Sequence, residues 1–178
     1  MRIIEMYHNR PFVFSIEVFP PKTEDGMVNL QTKLRAFSAF KPDYISVTYG
    51  AGGGTRQNTQ YLAGFIGNEL GIEVLAHLTC VSHTRKDVIL LKEQFLSEGV
   101  ENIMALRGDP PTTEKTFEPM PGGYRYASEL IEDLSRDRRF GIGAAGYPET
   151  HIDAISSQLD RYFFCLLYTS PSPRDTEV

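Results

Sequence analysis

The chain has 178 residues, 41% hydrophobic and 23% charged, enough for one sizeable core and ordinary for a soluble globular protein. Its net charge of -5, with basic residues scattered singly or in pairs such as Arg138-Arg139, leaves no cationic surface for nucleic acid. Two cysteines, Cys80 and Cys165, are too few for a disulfide scaffold, the start MRIIEMYHNRPF lacks a signal-peptide core, and no run nears the roughly 20 apolar residues of a membrane span, so a cytoplasmic protein is expected.

Short apolar runs begin near Phe12, Tyr44, Glu73, Asn102 and Phe140, and each is followed by a longer stretch with apolar residues at helical spacing. The first helix is predicted to open at Thr23, an N-cap residue, with Met27, Leu30, Leu34 and Phe37 on one face, and to stop at Lys41-Pro42. The later stripes are Leu62, Phe65, Ile66 and Leu70; Val88, Leu91 and Phe95; Ala127, Leu130, Ile131 and Leu134; and Ile152, Ile155 and Leu159. Strands separated by single helices must run parallel.

Two parallel architectures compete, an open doubly wound sheet and a (β/α)8 barrel. Alternation within the strands predicts one apolar face, made by Phe12, Phe14, Ile16 and Val18, then Ile45 and Val47, then Val74, Ala76 and Leu78, then Met104 and Leu106. The opposite face carries Ser15 and Glu17, Ser46 and Thr48, Leu75 and His77, and Ala105 and Arg107, turning polar toward the strand ends. A sheet covered on both faces would be apolar throughout, so a TIM-type barrel is predicted, with its active site at the C-terminal rim. A complete barrel takes about 250 residues. The βα units here number about five, so an incomplete barrel over residues 1–161 is expected, with open edges prone to association. Residues 162–178, an apolar FFCLLY followed by TSPSPRDTEV, read as a disordered or non-native tail.

Several residues are placed to carry chemistry. Glu17, between Ile16 and Val18 near the end of an apolar strand, is predicted to project into the lumen. A partly dry lumen disfavours an ionised carboxyl, which suits a general acid; a pairing with a lumen Arg or Lys is the structural alternative. In SVTYGAGGGTRQNT a strand meets a glycine-rich loop and then a helix, which lets backbone N–H groups approach a ligand, but Thr55 spoils a dinucleotide fingerprint. His77, Cys80 and His83 in AHLTCVSH are three local metal ligands without a fourth, so no zinc site is expected, and His77 is instead a pocket candidate. ALRGDPP puts Arg107 and Asp109 at one rim, facing substrate or forming an ion pair. AAGYPETH supplies small residues against which a flat ligand fits, with Pro148 opening a helix.

Together, FSIEVFPPKT, PDYISVTYGAGGGTR, AHLTC, LRGDPP, YASELI and AAGYPETH, in this order over residues 12 to 160, resemble the methylenetetrahydrofolate reductase family. The resemblance implies a (β/α)8 barrel holding FAD, reduced by NADH or NADPH, that converts 5,10-methylenetetrahydrofolate to 5-methyltetrahydrofolate in a cytoplasmic, homo-oligomeric parent enzyme. It makes Glu17 the acid that protonates the folate N10, and sets Asp109 between flavin and folate. It also puts Thr48, Tyr49, Ala51, His77, Arg107, Gly108, Tyr126, Ala127, Tyr147, His151, Ala154 and Asp160 at the FAD site, with Arg107 toward phosphate and Asp160 toward ribose hydroxyls. Leu166-Leu167 replace a basic residue of the family pattern, and its folate-binding Gln and aromatic residues have no counterpart. The chain alone is therefore expected to be inactive and to bind FAD weakly at most. The alternatives are an FAD- or pterin-binding barrel with other chemistry, or an inert fragment.

Overall fold

A computed structural model describes residues 1–49, 56–110, 116–147, 149–151 and 154–169. Ala51 and the glycine-rich loop, Pro148, Ile152 and residues 170–178 lie outside the described residues. Helix α1 (Ile3–Asn9) precedes strand β1 (Ser15–Val18) and α2 (Glu24–Phe37), followed by β2 (Tyr44–Val47) and α3 (Arg56–Gly64), which continues as a wider turn over Phe65–Glu69. Then come β3 (Glu73–Thr79), α4 (Arg85–Ser97), β4 (Asn102–Leu106), α5 (Ala127–Ser135), β5 (Gly141–Ala144) and α6 (Ser157–Thr169).

The strands form one five-stranded sheet in the order β1-β2-β3-β4-β5, with every neighbouring pair parallel. A doubly wound sheet reverses its strand order, whereas this progression in one direction is that of a (β/α)8 barrel, here with its sheet open.

Local sequence explains the helices. Thr23 caps α2 by accepting from the Gly26 N–H at 3.2 Å, which satisfies one of the orphan donors of the first turn. Thr84 and Asp87 form a capping box that starts α4. The predicted stripes turn inward at Met27, Leu34, Leu62, Phe65, Ile66, Val88, Leu91, Phe95, Leu130 and Leu134, all buried against the outer face of the sheet. Each such leucine contributes roughly 1.5–3 kcal/mol. The fifth stripe does not follow: Ile155 is 91% exposed and α6 begins only at Ser157, so Ile155 lies outside the helix that was to bury it. This helix also runs through position 162, where the tail was expected to begin.

Face assignments hold for three strands and invert for one. Val18, Ile45, Val47, Val74, Ala76 and Leu78 join the helices in the main core. On β4, however, Ile103 and Ala105 belong to that core, while Met104 pairs in register with His77 and packs on the lumen cluster. Every β4 residue from 103 to 106 is apolar, so alternation carries no signal there. Strand β1 starts at Ser15 and not at Phe12, and Phe12 is 75% exposed.

Helix α1 was not foreseen, because seven residues are too few to show a period. Ile3 and Met6 pack on Tyr44 and Leu75 at the N-terminal end of the lumen, with Val13 and Met104 beside them. Asn102, 1% exposed, fixes the plug by accepting from the Ile3 N–H at 2.9 Å and donating to the Met1 carbonyl and Glu73 Oε1, both at 3.0 Å. The lumen is therefore filled at its N-terminal end, and polar groups collect at the other. No helix among the described residues is long and apolar enough to cross a membrane.

Candidate active site

Register places Glu17 beside Ser46 on neighbouring strands, and His77 stands one lumen position further along β3. The three side chains meet: Ser46 Oγ lies 3.3 Å from Glu17 Oε2 and 2.8 Å from His77 Nε2, and His77 Nε2 lies 3.5 Å from the same Glu17 oxygen. The Glu17 side chain is 50% exposed, so the drying expected of the lumen is absent around it in this structure. The His77 side chain is only 12% exposed. Burial lowers its tendency to protonate below that of an ordinary histidine, partly opposed by the charge of Glu17. Ser46 had no role in the sequence reading, although its place beside Glu17 on the lumen face is a usable signal.

The remaining predicted residues, Ala51 aside because it lies outside the described ones, follow the strand ends and point in different directions. Thr48 extends the sheet, its N–H donating to the Val18 carbonyl at 3.0 Å and its carbonyl accepting from Thr59 Oγ1 at 3.1 Å. Tyr49 turns away from the lumen into the outer core, where its hydroxyl meets His83 Nε2 at 3.0 Å. His77, Cys80 and His83 accordingly diverge. Cys80 is buried, and burial pushes its thiol up to about 12, which keeps it protonated. Among the described residues no cluster is arranged to hold a metal.

After β4, the Arg107 guanidinium lies over the Phe117 ring, 5.3 Å from its centre, and Asp109 is exposed. Gly108 between them has φ +82, and a Cβ there would meet the Thr79 Cβ at 2.9 Å. Only glycine tolerates both the backbone and the approach. Tyr126, 57% exposed, precedes Ala127 at the start of α5, where Glu129 accepts from the Arg125 N–H at 2.7 Å. At the end of β5, Ala144, and Ala145 and Gly146 beyond it, form an exposed run of small residues. At its end Tyr147 and His151 pack edge to face with centres 4.8 Å apart. Asp160 accepts from the His151 N–H at 2.8 Å, and the Ala154 N–H donates to the His151 carbonyl at 2.9 Å. Among the described residues the rim thus holds a carboxyl group in a hydrogen-bonded set, an arginine, an exposed carboxylate and a run of small residues followed by aromatic rings.

Known proteins share this framework. The chain is 36% identical over 159 residues to methylenetetrahydrofolate reductase (NADH) 1 of Zea mays, which covers 88% of this chain and 27% of that protein. It is 36% identical over 149 residues to 5,10-methylenetetrahydrofolate reductase of Escherichia coli K12, covering 82% of this chain and 47% of that one. Methylenetetrahydrofolate reductase 2 of Saccharomyces cerevisiae is 37% identical over 142 residues, covering 78% of this chain and 24% of its own length. The chain spans less than half the length of each of these relatives. Because residues 2–165 match the family described as methylenetetrahydrofolate reductase, nearly all of the folded sheet and its rim are accounted for, and the chain belongs to that family.

Proposed function

We propose that the protein carrying this chain reduces 5,10-methylenetetrahydrofolate to 5-methyltetrahydrofolate, with NADH or NADPH as reductant and FAD as the intermediary, and that Glu17 is its acid. The observation that carries the reading is a carboxyl group at the C-terminal end of β1, hydrogen-bonded to Ser46 on β2, in a chain of this family. The folate's five-membered ring is unreactive toward hydride until its leaving nitrogen is protonated. A positioned acid within reach of N10 supplies that proton, and Glu17 is exposed enough to meet a substrate entering the rim. Asp109, exposed at the end of β4, would contact the pterin ring.

The residues present fit a dinucleotide flavin. Ala144, Ala145 and Gly146 are small and exposed at the end of β5, which leaves room for a planar ring beside them. Arg107 offers a planar cation suited to phosphate, and Asp160 offers a carboxylate suited to ribose hydroxyls. Thr48, Tyr49, Ala51, His77, Gly108, Tyr126, Ala127, Tyr147, His151 and Ala154 complete the proposed FAD set, Tyr49 through its backbone because its ring is committed to the core. Bound FAD would supply the hydride chemistry.

The test is a FAD titration of the chain followed by flavin fluorescence, together with Glu17→Gln in the complete flavoprotein. Quenching at high micromolar protein, and a variant that accepts electrons from the nicotinamide but passes none to folate, are expected. Folate reduction at the parent rate by the Gln variant removes Glu17 from the acid's role, and absence of quenching removes FAD from the chain.

A further inference from the structure

The Ser46 hydroxyl has one proton and two hydrogen-bonding partners, Glu17 Oε2 and His77 Nε2. Two arrangements satisfy both contacts. When Glu17 is ionised its oxygen only accepts, so Ser46 donates to it and the His77 Nε2–H donates to Ser46. When Glu17 is protonated its O–H donates to Ser46, Ser46 donates to a bare Nε2, and the ring proton resides on Nδ1. A hydroxyl engaged on both sides cannot change one bond without reversing the other.

We propose that Ser46 and His77 are positioning residues for Glu17, and that Ser46 couples the protonation of Glu17 to the tautomer of His77. This rests on the reading of Glu17 as the acid. The transfer balances without any further reactant: a proton from water joins Nδ1, the Nε2 proton passes to the Ser46 oxygen, and the Ser46 proton passes to Glu17 Oε2. The net change is one proton gained by Glu17. Once Glu17 has given that proton to the substrate nitrogen, proton exchange between the ring and water restores the Nε2–H form.

The surroundings suit a neutral ring. Glu17 is the charged group that acts on His77 from β1, and β2 contributes Ser46 and, nearer its start, Tyr44, whose hydroxyl pairs with Tyr7 of α1 at 3.0 Å. From β4 the register partner of His77 is Met104, which is apolar. Burial disfavours the imidazolium, so the ring changes tautomer instead of holding charge.

The test follows the two half-reactions separately by flavin absorbance across pH, in the complete flavoprotein that contains this chain. Reoxidation of reduced flavin by 5,10-methylenetetrahydrofolate reads Glu17, and reduction by the nicotinamide gives the pH dependence that does not involve it. Ser46→Ala removes a donor to the carboxylate. The alkaline limb of the folate half-reaction is expected to move up by about half a pH unit, and its rate to fall about tenfold because the carboxyl loses its anchor. Ser46→Cys, which keeps the volume but hydrogen-bonds weakly, is expected to behave likewise, and Ser46→Thr to restore both values. An alkaline limb unmoved in the Ala and Cys variants, with Glu17→Gln inactive toward folate, overturns the relay and leaves the acid in place. Folate reduction by Glu17→Gln at the parent rate overturns both.

Discussion

The Tyr49 hydroxyl and His83 Nε2 lie 3.0 Å apart between the sheet and its helices, with the two rings edge to face at 5.4 Å. His83 Nδ1 is 3.0 Å from the Thr79 carbonyl, which can only accept, so Nδ1 carries the ring proton and Nε2 takes the Tyr49 proton. His83 is 1% exposed, and this bond ties the end of β2 to the turn after β3. Tyr49→Phe keeps the ring packing and removes that bond, which is expected to cost about 1–2 kcal/mol in urea unfolding. A variant as stable as the parent would show that the bond contributes nothing net.

At the other end of the lumen one buried side chain ties the start of the plug to the sheet. Asn102 holds both α1 and Glu73, and no water replaces it easily at a buried position. Asn102→Ala is expected to cost about 2 kcal/mol and to raise hydrogen exchange selectively over residues 3–9. Gly141→Ala attacks the same point from the neighbouring strand, because its Cβ would sit 2.6 Å from Asn102 Oδ1. Equal exchange in α1 before and after either change would mean that the packing of Ile3 and Met6 and the Tyr7–Tyr44 contact hold the helix without Asn102.

How much of this was legible in the sequence depended on whether a local pattern carried the information. The strand starts at Tyr44, Glu73 and Asn102 and the Thr23 cap follow from alternation and capping chemistry, which are local and strong. Glu17 and His77 were legible as lumen residues for the same reason. The role of Ser46 is not legible in the sequence, because a serine in a strand is unremarkable until its neighbours across the sheet are known, and register is a non-local property. The face of β4 was unreadable because Ile103, Met104, Ala105 and Leu106 are apolar on both sides. The direction of Tyr49 was likewise hidden: a tyrosine just past a strand reads as a rim residue, and only the buried partner His83 reveals that it turns to the core. The segment before β1 shows the converse, since Phe12 and Phe14 look like core by pattern yet are exposed.

Acid should loosen the α4 to β5 connection before the rest. Asp137, in the turn after α5, accepts from Arg139 Nε at 2.8 Å and from the Arg139 N–H at 3.2 Å, and its other oxygen lies 3.3 Å from Lys92 Nζ. The Arg139 hydrogen bond is the largest influence holding its carboxyl far below the usual aspartate range. The unfolded chain therefore takes up a proton at a higher pH than the folded one. The stabilisation is complete above the unfolded value of about 4 and is lost progressively as pH falls through the range below it. Between about pH 4 and pH 2 the urea midpoint of the parent is expected to fall more steeply than that of Asp137→Asn, which is weaker at neutral pH. Parallel slopes would assign the acid sensitivity to other carboxylates.

Gly108 offers the sharpest separation of folding from ligand binding, because it joins Arg107 to Asp109 at the rim and contributes no side chain itself. Gly108→Ala combines φ +82 with contacts of 2.9 Å and 3.2 Å to Thr79 and 3.1 Å to Val81, all from positions fixed by the end of β3. The strain, of order 1–3 kcal/mol, is relieved most easily by moving the loop outward, since Thr79 is held in the sheet and Val81 is buried. That motion carries the Arg107 guanidinium off the Phe117 ring and displaces Asp109. The expected result is a melting temperature lowered by a few degrees together with a loss of flavin quenching of tenfold or more in apparent Kd, about 1.4 kcal/mol of binding. If quenching persists at the parent affinity while the melting temperature drops, the Arg107 to Asp109 segment takes no part in holding the flavin, and the phosphate partner must be sought on another strand end.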